Sequence, residues 1–297
     1  MTLLTYQIFQ AVVEEGSFQK AAKVLNLTPS AISHAISTVE KELGFPLFNR
    51  SKNGVTLTSY GENLNPYILS VLNSDLRLQQ AISSLNGTPC GSVNIGVPSS
   101  VCTQFIPALI TGFSRLYPDI EILLHQGNLD EIYRWLKIGV IDLGFLPESA
   151  SSDLEITPLY QEELVCITSI SFHPKHKSYI EPSEIIKQGL ICQDDLWNNT
   201  DVLSLFQQHD LKFRPTGRST DTLSSIAMTA AGLGICIMPK PSITNIPYAV
   251  NQYPFKPSKY RTICICSQGT TLMTPAVKAM HLHIISYFND KKQKEQL

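Results

Sequence analysis

The segment Leu25–Glu40 constrains this chain more than any other. Thr28 is placed to cap a helix whose first residue is Pro29, where a missing N–H leaves no bond unmade. At about 100° per residue, Ile32, Ala35, Ile36, Val39 and Leu43 share one side of that helix. Ser30, Ser33, His34, Ser37 and Lys41 share the other, and Gly44 ends it. One face is apolar for burial, and the opposite face is small and polar, the build of an element that lies in a DNA groove. An ordinary amphipathic surface helix has the same pattern, so the neighbouring sequence decides.

Upstream, Leu4, Ile8, Phe9, Val12 and Val13 recur at helical spacing and stop at Gly16. Ser17 then caps a short second helix carrying Ala21, Ala22, Val24 and Leu25, whose small residues permit close approach. Only Asn26-Leu27-Thr28 separates it from the third helix, the connection length of a helix-turn-helix. Downstream, residues 47–58 read as two short strands around Asn53-Gly54, a strong hairpin signal. Three helices and a hairpin make a winged helix-turn-helix. Its wing carries Arg50 and Lys52, which are assigned to DNA phosphates.

These residues resemble the LysR-type transcriptional regulators. The resemblance rests on Ala11–Ala22, the third helix, Leu43–Arg50 and Leu57–Glu62, together with a later segment, Met228–Pro239, similar to that family's effector-domain signature. It runs from about residue 3 to about residue 290. The chain departs from the Gln and Arg that many relatives carry at the positions matching Pro29, His34 and Ser37. The resemblance implies an α/β protein with an N-terminal winged helix-turn-helix, a long linker helix and a C-terminal effector domain. That domain has two subdomains and is periplasmic-binding-protein-like. Double-stranded DNA is the implied partner. Pro29, Ser30, Ser33, His34, Ser37 and Lys41 are expected toward the groove.

Composition agrees with this reading. A chain of 297 residues is long for one core, and 43% hydrophobic with 16% charged residues is globular. Net charge is −2, and residues 1–60 carry five Lys or Arg against four Glu. DNA binding therefore depends on where a few charges sit and on pairing two heads, not on bulk attraction. No signal peptide and no run of about 18 apolar residues is visible, so a cytoplasmic protein without a membrane partner is expected. Seven scattered cysteines without a Cys-x-x-Cys pair suit buried, reduced thiols. Cys264 and Cys266 share a strand face, where packing outweighs a metal or redox role. His173, His176, His281 and His283 lack partners at zinc-ligand spacing.

From Ser59 to about Leu85 a single helix carries the stripe Leu64, Ile68, Val71, Leu72, Leu78, Ile82 and Leu85, with Pro66 in its second turn. A helix this long needs a cover, either a twin copy of itself or its own C-terminal domain. The family resemblance implies the twin, giving a homodimer or homotetramer. The expected organisation is residues 1–58 for the head, 59–86 for the linker and 87–91 for a breaker-rich hinge. The effector domain spans 92–290, with subdomain I at about 92–160 and 268–290 and subdomain II at about 161–267, followed by a frayed tail, 291–297.

After the hinge, strands and helices alternate, which implies parallel sheets with ligands at the carboxyl ends of the strands. Ser99 and Ser100 follow the first strand, and in the resembled family the matching positions contact effectors. Asn128 and Pro147 end the next two strands, and Thr200 and Thr222 face them across the cleft. Each of these also suits a plain helix cap. No dinucleotide fingerprint, Walker loop, Gly-x-Ser-x-Gly elbow or His-Glu-x-x-His is present. The cleft is therefore read as sensory, without a cofactor or catalytic residues, for a small-molecule effector. The alternative is a solute-binding protein, in which residues 1–60 would have no purpose.

Overall fold

The computed structural model describes residues 1–51, 54–84, 91–151, 153–193, 202, 206–207, 215–219 and 221–295. It divides the chain into two compact units, residues 1–88 with 138–140, and residues 89–137 with 141–297. In the first, α1 (Leu3–Glu15), α2 (Phe18–Val24) and α3 (Pro29–Leu43) form the head. Their starts are set by hydroxyl caps: Thr2, Ser17 and Thr28 each accept a hydrogen bond from the backbone N–H three residues on. Gly16 ends α1 at φ 59° and Gly44 ends α3 at φ 80°, left-handed turns that favour glycine.

Phe9, Val12, Ala21, Ala22, Ile32 and Ile36 are almost fully buried among these helices. The strands β1 (Phe48–Ser51) and β2 (Gly54–Leu57) form the wing, with Ser51 registered on Gly54. Gly54 thus opens the second strand, while Lys52 and Asn53 of the expected turn lie outside the described residues. The long helix α4 (Ser59–Ser84) follows. Its stripe is divided between two environments: Leu64, Ile68 and Leu72 pack into the head's own core, while Tyr67, Val71, Leu78 and Ile82 form an exposed ridge. Most of the expected hinge lies outside the described residues.

The second unit is built on one eight-stranded sheet. Its strands are β3 (Gly91–Val97), β4 (Ile120–Gln126), β5 (Leu143–Pro147), β6 (Glu155–Ser169), β7 (Leu190–Gln193), β8 (Pro215–Ser219), β9 (Ile235–Pro239) and β10 (Val250–Ser267). They lie in the order β4-β3-β5-β10-β6-β9-β7-β8. The outer strands are parallel within each half, β4-β3-β5 on one side and β9-β7-β8 on the other. The central β6 and β10 pair antiparallel along nearly their whole length.

Helices α5 (Ser99–Gln104), α6 (Ile106–Leu116), α7 (Leu129–Lys137), α8 (Pro182–Gln188), α9 (Thr222–Ala230) and α10 (Pro275–Glu295) complete the unit. Two apolar cores result. One gathers Val93, Ile95, Phe113, Leu143, Phe145, Leu159, Ile263, Ile265 and Phe288, and the other Leu164, Ile167, Ile185, Ile191, Ile226, Ile237 and Phe255. The chain passes from the first to the second along β6 between Leu159 and Leu164. It returns along β10 between Phe255 and Ile263, so Ile263 and Ile265 already belong to the first core, ahead of the expected return near 267.

Other differences from the sequence reading have local causes. The apolar spacing of Thr103–Tyr117 predicts one helix, whereas the chain breaks at Phe105 into α5 and α6, because Pro107 fits only the first turn of a new helix. The tail does not fray at 291: α10 continues to Glu295, with the Lys291 ammonium 4.4 Å from the centre of the Phe105 ring. The strand–helix alternation also predicts a helix near 201–208 and a strand over 212–214, which fall largely or wholly outside the described residues. The short helix α8 was not anticipated.

Gly61, in the first turn of α4, has no room for a side chain: a Cβ there overlaps the Leu47 carbonyl oxygen and the Leu57 side chain. Because the first obstacle is backbone, Gly61→Ala is expected to cost the head about 1–3 kcal/mol. Circular dichroism melting checks this, and it should show a lowered midpoint.

Candidate functional site

The polar face of α3 stands clear of the core. Pro29, Ser30, His34, Ser37 and Lys41 are exposed and Ser33 is half-buried, while Ile32, Ile36 and Val39 fill the opposite side. Thr28 caps the helix and its hydroxyl also meets that of Ser30 at 3.0 Å. The wing is attached to this helix by one carboxylate: Glu40 Oε1 accepts the backbone N–H of Leu47 at 2.8 Å and of Phe48 at 3.1 Å. Phe48 in turn packs on Phe9 with ring centroids 5.0 Å apart.

Arg50 does not extend from the wing as a free cation. Its guanidinium turns onto α3, where Nη1 donates to Ser33 Oγ and Nη2 to Ser37 Oγ, each at 3.2 Å. Glu40 lies 3.6 Å from the same group and the Phe18 ring 4.8 Å beneath it. Lys52, assigned with it to phosphate, lies outside the described residues.

In the second unit, Ser99, Ser100, Asn128 and Pro147 all lie at the carboxyl ends of the parallel strands β3, β4 and β5. Ser99 Oγ accepts a bond from Gln126 Nε2 at 3.0 Å, and Ser100 is buried. Asn128 forms a reciprocal cap with Glu131: its Oδ1 accepts the Glu131 N–H, and its own N–H is donated to the Glu131 carboxylate, both at 2.8 Å. Pro147 is buried, and its carbonyl accepts the Ser151 hydroxyl at 2.7 Å. Thr222 opens α9 behind its cap Asp221, while Thr200 lies outside the described residues.

A cavity of about 880 Å³ opens beside the crossing strands, and neither these four residues nor Thr222 lines it. One wall is aromatic: Tyr160 stacks on Phe288 with centroids 5.0 Å apart, and Phe105 meets both edge-on. Lys240 and Pro241 face this wall, with Lys240 Nζ 3.3 Å from Glu163. At its side Glu162 takes Nε and Nη2 of Arg261 on Oε1, and the Tyr160 hydroxyl on Oε2 at 3.4 Å. Both charged side chains are nearly sealed, 1% and 4% exposed. Burial, then the neighbouring carboxylate, holds the Tyr160 phenol well above its ordinary range. Sequence reading missed this group because Glu162 and Arg261 meet only through the β6–β10 register.

Burial keeps five of the described thiols protonated, which makes them poor nucleophiles. Burial pushes Cys236 and Cys264 up to about 12 and Cys266 up to about 11, and raises Cys166 and Cys102. Cys264 and Cys266 pack in the strand, where Cys266 Sγ meets Ser151 Oγ at 3.4 Å. Among the described residues no cluster of three metal-ligating side chains occurs.

A three-helix head with a two-stranded wing, in a chain that also carries a two-core α/β unit with an open cavity, defines a DNA-binding regulator with a ligand-binding domain. Comparison with known proteins gives the family. Residues 3–62 match the model described as bacterial regulatory helix-turn-helix protein, lysR family, and residues 86–288 match that of the LysR substrate binding domain. The chain belongs to the LysR family of DNA-binding transcriptional regulators with an effector-binding domain.

An uncharacterized HTH-type transcriptional regulator of Bacillus subtilis (strain 168), YvbU, is 29% identical over 248 residues, covering 83% of this chain and 84% of that protein. In fold, the chain is similar to full-length CbnR complexed with its target DNA, at TM-score 0.66 and 20% identity over 97% of this chain and 100% of that one. It is also similar to the effector binding domain of QuiR in complex with shikimate, at TM-score 0.61 and 23% identity over 68% and 98%.

The buried ion pair gives a prediction for the second unit. Arg261→Met alone strands a carboxylate beside Tyr160 and is expected to cost about 3–5 kcal/mol, whereas Arg261→Met with Glu162→Leu should recover most of that loss. Urea unfolding followed by tryptophan fluorescence measures it, since Trp135 on α7 lies in this unit.

Proposed function

We propose that this regulator reads duplex DNA with the outward face of α3, as a homodimer or homotetramer, and answers to a small organic effector held between the two halves of its second unit. The observation that carries the reading is the exposed row Pro29, Ser30, His34, Ser37 and Lys41 on a helix whose other side is fully buried. Side chains this short suit the floor of a major groove and leave part of the selectivity to DNA shape. The DNA-bound CbnR structure, similar in fold, supports this use of the head.

The exposed ridge Tyr67, Val71, Leu78 and Ile82 on α4 supports a second copy of this chain as its cover. Heads of modest charge gain affinity when two half-sites are read together. Ser99, Ser100, Asn128, Pro147, Thr200 and Thr222 are the proposed effector rim, with Asn128 contributing through its side-chain amide N–H groups, because its Oδ1 and its backbone N–H are both taken by the cap with Glu131. The shikimate-bound QuiR domain supports an effector of that size. We read the cleft as sensory rather than catalytic and place the protein in the cytoplasm with its DNA. No described helix is long and apolar enough to cross a membrane.

Ser30→Ala and His34→Ala are each expected to weaken binding to a duplex selected by the wild-type protein by about 1 kcal/mol, roughly five-fold, and to leave binding to unrelated duplex within two-fold. Fluorescence anisotropy on both duplexes measures this, and equal losses on both would place these side chains on phosphate.

Asp at Val71 or Ile82 puts a carboxylate into the proposed helix seam, where it would have no partner. Sedimentation of Val71→Asp and Ile82→Asp is expected to show monomers with reduced selective binding. Unchanged dimers would move the interface to the second unit.

A further inference from the structure

The guanidinium of Arg50 occupies the polar face of α3 rather than the rim of the wing. Ser33 and Ser37 are one helical turn apart, so their hydroxyls stand side by side and a planar fork spans both. Phe18 supports the guanidinium from below and Glu40 fixes its far side. The side chain is still 45% exposed, so the assembly is open to a ligand lying along α3. A cation already shared with a carboxylate and two hydroxyls is a weak phosphate anchor, and it is well placed to orient its partners.

Orientation has a chemical consequence. A serine hydroxyl has a single proton to give and accepts on its lone pairs. Ser33 and Ser37 accept from Arg50, and among the described residues neither donates to a protein acceptor. Each proton is therefore available to point outward. In the major groove guanine offers O6 and N7, thymine O4 and adenine N7 as acceptors, whereas cytosine offers only its N4 donor.

We propose that Arg50 is a specificity-determining residue that sets Ser33 and Ser37 as donors toward the major groove, so that the strand they touch is read for acceptor-bearing bases and against cytosine. This rests on the reading that α3 enters that groove.

The test compares full-length wild type with Arg50→Lys, Arg50→Ala, Ser33→Ala/Ser37→Ala, and the triple variant that adds Arg50→Lys to the serine pair. Each is selected against a randomised duplex pool, then titrated on the wild-type-selected duplex and on unrelated duplex across salt concentrations. Lysine keeps the charge but presents a single ammonium on a flexible stem, without the planar fork that holds both hydroxyls at fixed positions. Arg50→Lys is expected to lose about five- to ten-fold on the selected duplex, keep its salt slope, and admit cytosine at positions where the wild type excludes it. Ser33→Ala/Ser37→Ala should give the same relaxed profile, and adding Arg50→Lys to it should change the result by less than two-fold.

The serine pair lies on the polar face of α3, Ser37 exposed and Ser33 half-buried, and reports even if Arg50→Lys fails to fold. An unchanged base profile in Ser33→Ala/Ser37→Ala overturns the proposal. So does an Arg50→Lys that selects like wild type. A loss in Arg50→Ala that is equal on all duplexes, with a salt slope shallower by about one, makes Arg50 a phosphate anchor instead. A separate arm replaces cytosine by glucosylated 5-hydroxymethylcytosine in the selected duplex, which fills the major groove with bulk. Undiminished wild-type binding there would show that α3 is not in the major groove, independently of Arg50.

Discussion

The Glu40 carboxylate joins α3 to the wing. It projects from the last turns of α3, takes two backbone N–H groups of the chain entering the wing, and sits beside the Arg50 guanidinium. Hydrogen bonds to a charged acceptor contribute about 1.5–3 kcal/mol each, and leaving those half-buried N–H groups without a partner would cost comparably. Through this one group the angle of the wing and the orientation of the serine face are set together. The apolar side of α3 only has to hold the helix down, and Ile32, Ile36 and Val39 do that.

In the second unit the corresponding constraint is the ladder between β6 and β10. Because both strands pass through both cores, each half is anchored to the same two strands, and a change in cleft width must be taken up where they cross. The sealed Glu162–Arg261 pair lies at that crossing, next to the aromatic wall of the cavity. An effector can shift the unit only by as much as it prefers one arrangement over another, and coupling energies of about 1–3 kcal/mol are typical of such sites.

Much of the head could be read from sequence because its signals are local: hydroxyl caps, glycine stops, a 3.6-residue period and a hairpin. The strand–helix alternation of the second unit was legible for the same reason. The full lengths of β6 and β10 were not, since their exposed stretches carry polar residues that read as loop, and α8 is too short to show a period. Asn128 is expected as a ligand contact and its Oδ1 also caps α7 at the Glu131 N–H, a second use of the residue that spacing does not reveal. Arg50 was placed correctly on the wing, but its direction depends on hydroxyls thirteen and seventeen residues away. Tyr160, Glu162 and Arg261 come together only through pairing across 99 residues of sequence.

The central claim is that two copies of this chain place their α3 helices in successive major grooves. Dimethyl sulfate protection of the full-length protein on its genomic binding sites tests it directly, because guanine N7 reports the major groove and adenine N3 the minor. Protected guanine N7 atoms should fall in two symmetric clusters, their centres about 10 base pairs or a multiple of that apart, with adenine N3 between them still reactive. A single protected cluster, or protection confined to adenine N3, would contradict the account.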